Sequence, residues 1–115
     1  MTYRTQATRP MRDLLKRLPM LPETSTMEID FPAADVSLLV SIGDDSQTIV
    51  QVIHGGLAAV GLLLAHSAPV IEDGTIGADD VECIGFLLAE LADLSASLMT
   101  LSAQCRRQTF DFFPE

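Results

Sequence analysis

No lysine or arginine occurs between Leu18 and Cys105, while that span carries 13 aspartates and glutamates. A body without cations has nothing to neutralise phosphates, so direct nucleic-acid binding by it is not expected. It suits basic partners instead. The cations are gathered at the two ends: Arg4, Arg9, Arg12, Lys16 and Arg17 before the body, Arg106 and Arg107 after it. Tryptophan is missing and tyrosine occurs once, yet 48% of the residues are hydrophobic. That combination fits a helical protein rich in Leu, Ala and Val. Charged residues make up only 20%, below the roughly 25% of an average domain, so much of the surface is uncharged or covered by another chain.

Cysteine is scarce as well. Cys83 and Cys105 are the two in the chain, and both fall on one predicted helix, about 33 Å apart at ~1.5 Å per residue. They cannot bridge there. No disulfide framework is expected, which suits a reducing compartment and a cytoplasmic location. No apolar run follows the N-terminal charges, so no signal peptide is expected.

Catalytic signatures are missing too. There is no Gly-x-Ser-x-Gly elbow, and neither cysteine has a histidine close in sequence. Gly55, Gly56 and Gly61 lack the strand and lysine of a phosphate loop. The expectation is a non-catalytic protein with no catalytic residues, cofactor or metal.

What the chain does have is a long amphipathic seam. Ile84, Leu87, Leu91, Leu94, Leu98, Leu101 and Cys105 step by three and four, which puts them on one face of a helix over about 79–107. Glu82, Glu90, Asp93, Ser97, Thr100 and Gln104 take the other side. Asp79 is expected to be the N-cap, with Glu82 completing a capping box, and Arg106 and Arg107 suit the C-terminal dipole. A second helix is expected over about 46–67, opened by a capping turn at Gly43-Asp44-Asp45-Ser46. Val50, Ile53, Leu57, Val60 and Leu64 form its stripe, and no charged residue occurs from Ser46 to Ile71. Its apolar length is at the bottom of the spanning range and is interrupted by Gln51 and His54, so no membrane span is expected. His54, Ala58, Gly61 and Ala65 form a stripe of mostly small residues. The connection, Pro69 to Gly77, is read as a loop that makes the two helices an antiparallel hairpin.

Upstream, Met11, Leu14, Leu15 and Leu18 share one face of a short amphipathic segment that is expected to dock on the body. Residues 27–42 read as a short strand or hairpin, because Val36, Leu38, Val40 and Ile42 alternate at period two. A helix from Pro32 to Gly43 is the competing reading. The domain plan is thus a basic arm and Pro/Thr/Ser linker over 1–26, a single helical domain over 27–107 and an aromatic tail over 108–115.

A two-helix hairpin cannot bury helices that are apolar on two faces, and the second stripe of the long helix is Val81, Ile84, Leu88, Leu91, Ser95 and Leu98. Doubling across a two-fold axis gives a four-helix bundle. Val50, Ile53, Leu57, Val60, Leu64, Leu91, Leu94 and Leu98 are its candidate interface. Asp79, Asp80, Glu82, Glu90, Asp93, Phe110, Phe112 and Phe113 are candidate partner-binding residues. The reading is a small acidic homodimeric module that binds a basic protein segment as adaptor, chaperone or regulator. One alternative is an acidic nucleic-acid mimic that inhibits by charge. The other is a metal-binding helical enzyme with a site near His66, which the hairpin would set opposite Asp79, Asp80 and Glu82, as it would His54 opposite Glu90 or Asp93.

Overall fold

The structure is a computed structural model of the chain, and residues 9–110 are described. The described residues form no strand. Two long antiparallel helices, α2 (Val36–His66) and α4 (Ala78–Thr109), make a hairpin, with α1 (Pro10–Arg17) packed against α2 from Asp45 to about Ile53 and α3 (Ala68–Glu72) at the tip. The molecule measures 57 × 39 × 21 Å with a radius of gyration of 18.4 Å. A compact chain of this length would have about 13 Å.

The expected strand over 27–42 does not form. Phe31–Ala33 is a turn of 3-10 helix whose first carboxylate, Asp30, accepts a hydrogen bond from Ala33 N at 3.3 Å. From Val36 the chain is α-helical without a break, through the segment read as a turn at Gly43-Asp44-Asp45-Ser46. The buried positions show why. Leu39, Ile42, Ser46, Ile49, Val50 and Ile53 step by three and four, while the period-two set is split, with Val36 exposed and Ile42 fully buried. Gly43 serves a close approach: a Cβ there would lie 3.4 Å from Cys105 Cβ. Packing against α4 thus overrides the local preference for a turn.

Helix α4 runs close to its expected bounds, with Arg106 and Arg107 in its last turn. Its N-cap is Gly77, not Asp79, and no side chain caps it. Asp79 and Asp80 sit in the first turn, where the helix dipole favours carboxylates. The connection is partly helical. Pro69 opens α3, Gly74 takes a positive φ of 86°, and Asp73 Oδ1 accepts from Thr75 N at 2.8 Å and Thr75 Oγ1 at 2.6 Å.

The core occupies the lower half of the hairpin, away from the tip. Leu14 of α1 closes it over Leu39, Ile42, Ile49 and Ile53 of α2 and Leu98 and Cys105 of α4, with Leu21 and Phe31 at its edge. Arg17 forms an ion pair with Asp45 that fixes the base of α1. Burial of the Asp45 carboxyl, with the nearby charges of Asp13 and Asp44, raises its pKa above the ordinary carboxylate value against the opposing pull of Arg17.

Two tests follow from this packing. Ile42→Ala should cost about 2–5 kcal/mol, whereas Gly55→Ala should stabilise by about 0.8–1 kcal/mol, because its added methyl meets nothing within 4 Å; urea denaturation reads both. The raised pKa means that folded Asp45 holds its proton more tightly than the unfolded chain does. Its stabilising contribution is full below the unfolded value of about 3.9 and is lost as pH rises through the folded one. The stability of the natural chain relative to Asp45→Asn should therefore fall as pH rises above the unfolded value of about 3.9.

Candidate interaction surface

Helix α1 spans eight residues, about 12 Å, against about 46 Å for α2. It lies over the groove between α2 and α4 only in the lower half. Above Met11 the groove stays open as a cavity of about 270 Å³ whose walls include Val52, Gly56, Leu57, Val60, Leu87 and Leu91. Its lining is almost wholly apolar. Leu87 is 56% exposed and Val52 56%. A Cβ added at Gly56 would meet no atom within 4 Å. The groove has room as well as apolar walls, and a patch of this kind marks an interaction surface.

The expected interface residues divide between core and groove. Val50, Ile53 and Leu98 are already buried within the chain. Leu57 and Leu91 are half-buried at the edge of the core. Val60 and Leu64 are half-buried, and Leu94 is exposed. The structure adds Val52, exposed through its position beside the start of α1. Sequence reasoning passed over this residue because it falls outside the three-four stripe.

Asp79, Asp80, Glu82, Glu90 and Asp93 are all exposed on the tip half of α4. With Glu72 and Asp73 they leave the tip strongly acidic, and no cation lies between His66 and Gln104. Phe110 is 81% exposed; Phe112 and Phe113 lie outside the described residues.

The polar contacts across the hairpin tie its helices together. His54 Nε2 lies 3.3 Å from Ser95 Oγ, so His54 faces Ser95 and not the expected Glu90 or Asp93. Hydroxyl and imidazole resemble part of a nucleophilic pair, but both sit in mid-helix, where backbone amides are engaged in the helix and cannot serve an oxyanion. Lower down, Ser102 Oγ lies 3.5 Å from the Gly43 carbonyl and 3.4 Å from Gln47 Oε1. Arg106 Nη1 donates to Gln47 Oε1 at 3.3 Å. These groups line a small pocket of about 150 Å³ beside Cys105. Among the described residues no three His, Cys, Asp or Glu side chains gather so as to hold a metal ion, and His66 is exposed.

Both cysteines are free. Cys83 is exposed, and Cys105 is buried, with its thiol pKa pushed up by that burial. A disulfide reagent should therefore titrate one thiol per native chain rapidly and the second only on unfolding. Equal, rapid reaction of both would contradict the packing of α4 on Gly43.

Comparison with known proteins gives no match to a family model, to a curated protein or to a solved structure.

Proposed function

We propose that the chain is a non-catalytic, homodimeric protein-binding module. In this reading two hairpins join through their open grooves into a four-helix bundle, and the acidic outer face of α4 receives a basic protein segment. The observation that carries it is the unfilled upper groove. Leu87 and Val52 are each 56% exposed there, on walls otherwise built like a helix-bundle core. Apolar burial of that surface is the driving force available for association. Charge-to-charge attraction along Asp79, Asp80, Glu82, Glu90 and Asp93 supplies selectivity and encounter rate for a basic partner.

Light scattering tests the first half: the natural chain should have twice its mass, and Leu87→Glu should yield a folded species of single mass. Because Leu87 is 56% exposed in the single chain, the substitution leaves its own core intact. A monomeric natural chain would refute the dimer. The second half is tested with an arginine-rich peptide. Its binding should weaken with salt and with Glu90→Gln combined with Asp93→Asn, both exposed on α4; unchanged binding would refute the acidic face as its site.

A second reading has its own observation. Both α2 and α4 are long and apolar enough to cross a membrane, and only 17% and 11% of their most apolar 18-residue stretches are buried. The chain would then be a membrane hairpin with its basic ends on one side. Glu90 and Asp93 oppose it, since each would cost about 2.5–3.5 kcal/mol near the centre of a span. Recovery of the chain in the soluble fraction without detergent decides for the bundle.

A further inference from the structure

We infer that the occupant of the upper groove is a second copy of this chain running antiparallel, with the acidic tip of each hairpin set against the basic α1 of the other. The inference rests on the dimer reading above and fixes its geometry.

Three features of the chain carry it. The groove is widest above Met11, where about 270 Å³ stands open, while below it α1 narrows the space to about 150 Å³ beside Leu94 and Leu98. A second copy therefore meets the first through the tip halves. The walls of that stretch belong to α2, uncharged from Ser46 to Ile71, and to the apolar seam of α4. The densest charge lies at the two ends of the overlap, with Glu90 and Asp93 exposed on α4 between them. At one end is the tip, with Glu72, Asp73, Asp79, Asp80 and Glu82 and no cation. At the other is α1 with its flanking Arg9, where Arg9, Arg12, Lys16 and Arg17 offset Asp13, Asp44 and Asp45, Arg12 pairing with Asp13 and Arg17 with Asp45. Arg9 and Arg12 lie at the end of α1 that borders the open groove, beside Val52.

These ends decide the orientation. Apolar burial is non-directional, so two hairpins can overlap with tips together or with tips apart. Tips together places ten carboxylates at one end of the bundle, each set repelling the other, with no cation between them. Tips apart brings each acidic tip to the start of the partner's α1, where Arg9 and Arg12 are. Like-charge juxtaposition is penalised and opposite charge rewarded, so electrostatics selects the second arrangement. Helix α1 also acts as a stop. The partner's tip can advance along the groove only until it reaches Met11, which sets the register.

The experiment places a spin label on the tip of the full chain, as Thr75→Cys in a Cys83→Ser background, and measures mass and label-to-label distance together. The antiparallel dimer should show twice the chain mass and a distance of roughly 30 Å or more, taking about 15 Å from the centre of the overlap to each tip. Twice the mass with labels within about 20 Å, as neighbouring parallel hairpins require, would overturn the antiparallel arrangement and leave the dimer standing. A single mass, or recovery only with lipid vesicles, would overturn both. A charge reversal gives an independent sign. Asp79→Lys with Asp80→Lys should weaken association at least tenfold, because it sets lysines against Arg9 and Arg12. Tighter association would mean that the tips meet each other.

Discussion

The structure depends on a mismatch of length. Helices α2 and α4 contain 31 and 32 residues, while the one other helix that packs along their groove contains eight. Two helices in contact cover one face of each and no more. Where α1 and the following segment through Leu21 and Phe31 lie across them, a third wall exists and side chains such as Leu39, Ile42 and Ile49 lose nearly all contact with water. Above α1 the third wall ends, and residues of the same apolar pattern stay half-buried or exposed. Core, groove and elongated shape all follow from where α1 stops.

The lower half is held by small side chains as much as by large ones. Gly43, Ser46, Ser95 and Ser102 lie along the meeting of α2 with α4, and the three serines are buried. Their size lets the backbones draw near, as the fit of Gly43 against Cys105 shows. Ser102 finds partners in Gly43 and Gln47 and Ser95 in His54, so hydrogen bonds offset much of the cost of burying these hydroxyls. Ser46 Oγ alone among described buried side-chain atoms lacks a partner.

That seam also explains what was legible in the sequence. The long helix could be read because its apolar positions repeat at a helical period without interruption and its outer face is acidic. The docking of α1 could be read in part from the face of Met11, Leu14, Leu15 and Leu18 before Pro19: Leu14 is buried and Leu18 half-buried, but Leu15 is 69% exposed. The first ten residues of α2 could not. Gly43-Asp44-Asp45-Ser46 has the composition of a turn, and the signals that make it helical are distant: Cys105 against Gly43, Arg17 against Asp45. The same holds for the histidines. Counting back from a turn at Asp73 sets His54 against Asp93 or Glu90, but α3 changes the register of the connection and Ser95 takes that place. The apolar walls of the interaction surface were visible as stripes, whereas its lower limit was not, since nothing local says how far α1 extends over the groove.

The two long helices divide their roles by charge. Helix α2 has no charged side chain after Asp45, so its upper half adds apolar surface and little that water favours. Helix α4 carries its carboxylates on the outside, opposite the seam. The groove side of the hairpin is suited to a dry contact, while the surface outside the groove mixes these carboxylates with exposed Leu62, Leu63 and Phe86. A hairpin solvated by lipid would need apolar side chains on every face, and Glu90 and Asp93 stand midway along the one helix that could least accommodate them. The distribution of carboxylates thus argues for a protein surface as the third and fourth walls of the upper groove. It also confines the charges that can orient such a partner to the acidic tip and the basic α1.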